Sequence, residues 1–176
     1  MIIETPRMHL RELNLADAAF ILELLTDPDF LVQVGDRGVH SLDAARRYVT
    51  EGPGSSYVRF GFGLNVMELK DTGTAVGLCG LLRRDSHPDV EIGFALLPCA
   101  RRKGLALEAA AATLSWGFDC LGLDRIVALT APENLASMRI LERIGLRFER
   151  MVRYTADGGE SRLFAVERAA ALNAGT

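Results

Sequence analysis

Between residues 90 and 145 the chain alternates strand, helix, strand and helix: VEIGFALL, RRKGLALEAAAATLSWGFDCLG, RIVALT and NLASMRILERIG follow one another with short breaks. This unit constrains the fold more than any other stretch, because its helices must cover the sheet to which its strands belong. The first helix opens at Gly104 and stops at Gly122, a residue suited to the C′ position. Its apolar residues lie on nearly all sides, so it is expected to be buried. RIVALT is a short continuous apolar strand of the kind found inside a sheet. Asn134 is the cap candidate of the second helix, and Gly145 ends it.

Upstream, FGFGLNVMEL (residues 60–69) reads as a strand, KDTG as a turn and TAVGLCGLLRR as the returning arm of a hairpin. A break at Ser86, His87, Pro88 and Asp89 leads into VEIGFALL, so three antiparallel strands form a meander. Earlier still, RMHLRE (residues 7–12) alternates like a half-buried strand, and Asn14 or Asp17 caps the apolar-periodic run AAFILELL. Asp27, Pro28 and Asp29 break that helix. Another begins at Ser41 with Leu42, Ala45 and Val49 on one face, and the link QVGDRG is expected to be a loop on the substrate side. Downstream, LRFERMVRYT and SRLFAVER are hairpin arms that turn at Asp157 and Gly158, and the tail AAALNAGT has nothing to pin it and is expected to fray.

The expected fold class is α/β: a mixed, mostly antiparallel seven-stranded sheet with helices on both faces, in a single domain over residues 1–168 with a frayed tail at 169–176. A length of 176 residues fits one such unit. With 20 basic against 23 acidic residues, the chain lacks the field that non-specific nucleic-acid binding needs, so no nucleic-acid partner is expected. No apolar run approaches the ~20 residues that span a bilayer, and MIIETPRMHLRE has no signal architecture. A cytoplasmic location without membrane contact is the expectation. Cys79, Cys99 and Cys120 form no C-x-x-C pair, and His9, His40 and His87 are scattered, so neither a disulfide framework nor a metal is expected.

Chemistry concentrates in FALLPCARRKGLALEAA, where a strand runs through a loop into a helix whose first turn holds Arg101, Arg102, Lys103, Gly104, Leu105 and Ala106. The unpaired amides of such a turn and the positive end of the helix dipole suit a pyrophosphate, and small residues at 104 and 106 let a phosphate approach the backbone. Residues 101–106 fit Arg/Gln-x-x-Gly-x-Gly/Ala, a pattern that resembles the acyl-CoA pyrophosphate loop of the GNAT superfamily of N-acyltransferases. ENLASMRILERIGLRFE is similar to the Asn-x-x-Ser-x-x-x-Leu-Glu-Lys/Arg-x-Gly-Phe signature of the branch that includes ribosomal-protein N-terminal-amine acetyltransferases, through Asn134, Ser137, Leu141, Glu142, Arg143, Gly145 and Phe148. ETPRMHLREL, VEIGFALLP and GDRGVHSLDAA resemble that branch too.

The resemblance implies a V-shaped opening in the sheet, acetyl-CoA as acyl donor and a primary amine, either a peptide N-terminus or a small molecule, as acceptor, with direct attack in a ternary complex. It implies that backbone groups around Phe94, Ala95 and Leu96 pair with the pantetheine arm, that residues 101–106 hold the pyrophosphate, and that Asn134 and Ser137 face the thioester end. Arg102, Lys103, Arg139 and Arg143 are all candidates for the 3′-phosphate. Glu91 matches the acidic strand position and is the candidate general base, through water, with Ser137 as candidate acid. A homodimer is the expectation at family level. Two positions depart from the pattern: Leu141 stands where some relatives carry a tyrosine that protonates the thiolate, and Arg102 and Leu105 stand where the branch often has a glycine and an aromatic residue.

Plainer readings stand beside these. Glu91 is also explained as a solvated strand carboxylate, Asn134 as a helix cap, and Ser137 as a partner for local backbone groups. A non-catalytic acyl-CoA binding module and a transferase for a larger acyl group such as succinyl are the alternatives in function.

Overall fold

The computed structural model describes residues 2–85, 88–153 and 159–169. The chain begins with two strands, β1 (Ile2–Glu4) and β2 (Met8–Glu12), and passes through a short 3-10 turn into α1 (Ala18–Leu25). The helices α2 (Pro28–Val34), α3 (Leu42–Val49) and α4 (Ser55–Phe60) follow, then β3 (Leu64–Leu69), β4 (Ala75–Arg83) and β5 (Val90–Leu96). After these come α5 (Leu105–Asp119), β6 (Arg125–Thr130), α6 (Leu135–Arg143), β7 (Arg147–Val152) and β8 (Ser161–Glu167). The sheet order is β1-β2-β3-β4-β5-β6-β8-β7, antiparallel at every junction except β5 with β6, which is parallel. Among the described residues the strands number eight rather than seven, the addition being the three-residue edge strand β1.

Alternation sends the strand side chains to two cores. On one face Met67, Cys79, Leu81, Ile92 and Ile126 pack under Leu105, Ala109, Ala110, Leu114 and Phe118 of α5 and under Met138 and Leu141 of α6. On the other, Val66 and Leu78 pack under Ile21, Leu24 and Leu25 of α1, Phe30 of α2, and Ala45 and Val49 of α3. Close approach of α5 depends on Gly117, where an added Cβ would stand 2.8 Å from the Ile126 side chain.

Local capping explains the boundaries. Asn14 and Asp17 form a reciprocal capping box ahead of α1, and the Ser41 hydroxyl accepts from the Ala44 amide to start α3. Four expectations need correction. Asp27, Pro28 and Asp29 end α1 but also begin α2, because Asp27 caps the Phe30 amide and Pro28 occupies a first-turn position where its missing N–H costs nothing. Residues 60–63 do not belong to β3: Phe60 closes α4, and Gly61 takes a left-handed φ of +77°. Helix α5 is buried on one face only, with Ala111, Ser115 and Asp119 exposed on the other; a row of alanines looks apolar all round, yet leaves a face that tolerates water. Leu42, expected on the buried face of α3, is exposed. The arms of the last hairpin pair as expected, while its turn at Asp157 and Gly158, the break at Ser86 and His87, and the tail from residue 170 lie outside the described residues.

Candidate active site

Strand β5 is registered with β4 at seven positions, from Val90 opposite Arg83 to Leu96 opposite Gly77. With β6 it is registered at only two, Val90 with Ile126 and Glu91 with Val127, after which the strands part. The fork opens into a cleft of about 630 Å³. Phe94 and Ala95 of β5 line one wall, Leu129 and Thr130 of β6 the other, and Ser137 and Leu141 of α6 close the side. Arg125 pins the closed end, pairing with Asp89, with Glu149 of β7 and with Glu167 of β8.

Glu91 sits at the last paired position. Its side chain is 4% exposed and lines the cleft, and Arg84 Nε donates to its Oε1 at 2.8 Å. A solvated strand carboxylate is thus excluded. Tyr48 also faces the cleft, its phenol pushed above the usual range by burial and pulled part of the way back by the charges of Arg37 and Arg84.

The loop expected to hold a pyrophosphate is built by contacts from three directions. Arg101 turns its side chain away from any ligand: Nε donates to the Leu96 carbonyl at 3.1 Å, and its terminal nitrogens pair with Asp27 and Asp29 at the start of α2. Arg102 and Gly104 take left-handed φ values of +61° and +76°. Glycine does so freely, whereas for arginine the conformation costs about 1–2 kcal/mol. The glycine that relatives often carry at position 102 therefore has a backbone reason. Gly104 stands at the N-cap of α5 with no side chain capping the helix, so the first-turn amides point outward without an intrahelical partner.

Arg7 is a residue that sequence reasoning missed. Its Nη1 donates to the Lys103 carbonyl at 2.9 Å, its Nε to Glu108 Oε2 at 2.6 Å, and its backbone N–H to Glu108 Oε1 at 2.9 Å. Burial alone would raise the Glu108 carboxyl, but hydrogen bonds from Thr5 and Arg7 and the Arg7 charge hold it below its ordinary value. Glu108 follows the loop motif closely and carried a signal, whereas Arg7 lies 101 residues away from it and carried none.

The second motif divides. Asn134 caps α6, its Oδ1 accepting from the Ser137 amide at 3.0 Å, as the plainer reading predicts. Ser137 lines the cleft and its hydroxyl has no hydrogen-bond partner among the described residues, so local backbone satisfaction does not account for it. Leu141 is buried in the cleft wall. Leu96 contributes its carbonyl to Arg101 and is not among the residues lining the cleft. Arg102, Lys103, Arg139 and Arg143 are all exposed.

A forked sheet whose splayed strand leads into a helix that no side chain caps is the architecture of the acyl-CoA acetyltransferases, and the comparisons agree. The family model described as an acetyltransferase (GNAT) domain matches residues 7–147, and the chain belongs to that family of acyl-CoA-dependent acetyltransferases. An uncharacterized N-acetyltransferase of Bacillus subtilis (strain 168), YnaD, is 30% identical over 149 residues, covering 85% of this chain and 84% of the relative. A GNAT-family acetyltransferase of Bacillus anthracis superposes with a TM-score of 0.81 at 27% identity, over 96% of this chain and 99% of its own. A ribosomal-protein-S5-alanine acetyltransferase of Vibrio fischeri shares the fold at a TM-score of 0.77 and 17% identity, over 96% and 97% of the two chains. Among the described residues no helix is long and apolar enough to cross a membrane.

Proposed function

We propose that this chain transfers the acetyl group of acetyl-CoA to a primary amine by direct attack within a ternary complex. The observation that carries the reading is the parting of β5 and β6 after Glu91, which leaves a strand edge, a buried carboxylate and a free hydroxyl along one cleft. Acetyl-CoA supplies a thioester whose carbonyl carbon is the electrophile. The outward amides of α5 hold the pyrophosphate, with Arg102 and Lys103 adding charge at the loop, and Leu105 and Ala106 form the turn on which it rests. The edge of β5 that β6 leaves at Phe94, Ala95 and Leu96 offers backbone groups to the pantetheine arm, as a neighbouring strand would, apart from the Leu96 carbonyl that Arg101 holds. Asn134 sets the first turn of α6, and with it the position of Ser137.

At neutral pH a free amine with an ordinary pKa of about 8–10 is largely protonated, so the site must provide a route for its proton. Glu91 takes that proton, through water, as the new C–N bond forms and the C–S bond breaks. The leaving sulfur receives a proton from Ser137 or from water; Leu141 has none to give. That leucine is the feature that favours a second reading, a module that binds acyl-CoA without transfer. Thiol release from acetyl-CoA against a panel of amines and N-terminal peptides separates the two: turnover supports the transferase, and CoA-induced thermal stabilisation with no turnover of any amine supports the binder.

A further inference from the structure

The charges at the acceptor end of the cleft narrow the class of amine. Helix α2 turns Phe30, Gln33 and Val34 toward the cleft, and Arg37 continues that stripe past the end of the helix. Three charged side chains are among those that line the cleft: Arg37, Arg84 and Glu91. Glu91 is engaged by Arg84. Arg37 is exposed and has no hydrogen-bond or ion-pair partner among the described residues. The carboxylate next to it in sequence is turned elsewhere, since Asp36 pairs with His40 at 3.0 Å and accepts from the Gly38 amide at 2.8 Å.

Resting on the acetyl-transfer reading, we propose that the acceptor is an amine that also carries an anionic group, carboxylate or phosphate, and that Arg37 binds that group. Among the described lining residues two guanidiniums face one carboxylate, an excess of positive charge, and that carboxylate already has its cation. A polyamine would bring further positive charge toward Arg37 and Arg84 and find no second acid among the described lining residues to receive it. An anionic tail finds a guanidinium of the right sign, in a lining that also holds Gln33 and Tyr48, whose amide and hydroxyl are neutral donors. Tyr48 lines the same cleft, and the charges of both guanidiniums act on its phenol.

The experiment compares matched amines by thiol release from acetyl-CoA: an amino acid with its carboxamide, phosphoethanolamine with ethanolamine, and spermidine as the cationic case. In each pair the anionic member is expected to have the higher kcat/KM by about 10- to 100-fold, the value of a charge-assisted hydrogen bond. The first pair tests carboxylate and the second phosphate. Arg37→Ala should erase the preference through the KM of the anionic member rather than through kcat, and Arg37→Lys should restore part of it. The side chain is exposed, so the variants should fold, and a melting curve checks that they do. A preference for spermidine, a preference that survives Arg37→Ala, or no turnover of any anionic amine overturns the proposal. Thermal stabilisation by acetyl-CoA with turnover of neutral or cationic amines would overturn the acceptor class alone. Absence of both stabilisation and turnover would overturn the acetyl-transfer reading with it.

Discussion

The two edges of β5 carry opposite designs within one strand. Toward β4 it is zipped over seven registered positions, with Gly77 letting the backbones come so close that a Cβ there would stand 2.5 Å from the Ala95 carbonyl oxygen. Toward β6 it is zipped over two and then released. An unpaired strand edge is normally a liability, because its N–H and C=O groups seek partners. Here the edge is tolerable because it faces a cleft that water and an extended ligand can enter. Order on one side and an open edge on the other thus belong together: the closed ladder fixes the backbone whose open edge is proposed to bind the donor.

The sharpest way to break this contrast is at the fork. Glu91→Gln should lower kcat by ~10²-fold or more at neutral pH and remove the acidic limb of the kcat/KM profile, with CoA affinity nearly intact. Wild-type kcat and an unchanged profile would move the base off the fork. Next comes the open side. CoA at a hundred times its dissociation constant should stabilise the wild type by ~2.7 kcal/mol, and Gly104→Asp should abolish that by placing a carboxylate where the pyrophosphate belongs. Thermal melts across a CoA titration read the difference. The closed side should respond oppositely: Gly77→Ala forces a Cβ to 2.5 Å from the Ala95 carbonyl and should cost about 1–3 kcal/mol in denaturant unfolding, as strain in the fold rather than as lost affinity at the loop.

A smaller effect attaches to the Arg7–Glu108 clamp behind the loop. The Glu108 carboxyl is held below its ordinary value, so the clamp's stabilisation is complete above that value and is lost as pH falls through the lower folded one. Melting temperatures of wild type and Glu108→Gln should therefore differ at pH 7, by an amount worth about 1 kcal/mol or less for so exposed a pair, and converge as pH falls through the lowered Glu108 value. The smallest change is expected for Arg102→Gly, where relief of the left-handed backbone, worth about 1 kcal/mol, is offset by greater freedom in the unfolded chain. Stability should stay nearly level. A loss of CoA affinity in this variant would show that the Arg102 charge helps to hold the CoA phosphates.

The helix openings and ends, the meander and the loop motif were legible in the sequence because their signals are local: Ser41, Asn134, Gly104 and Gly145 each act on backbone a few residues away. What escaped depends on distance or on ambiguous punctuation. Pro28 reads equally as a stop for α1 and a start for α2. Helix α4 is six residues long, follows a π-helical turn containing Pro53 and buries none of its residues, so it lacks an apolar stripe to betray it. The Arg7 clamp and the approach of Arg84 to Glu91 are tertiary, made by side chains whose partners no spacing rule predicts.

Arg101 ties the carbonyl end of β5 to both acids at the start of α2. Anyone re-engineering this protein for a different amine would begin by exchanging the segment from Asp27 to Arg37, treating it as a detachable specificity module. It is not detachable. A graft that omits Asp27 and Asp29 strips the first residue of the cofactor loop of two of its three anchors, so donor affinity would fall together with acceptor preference and the graft would be misjudged as inactive. A transplantable unit must carry the two aspartates with it, or bring an uncharged residue at position 101 that needs neither.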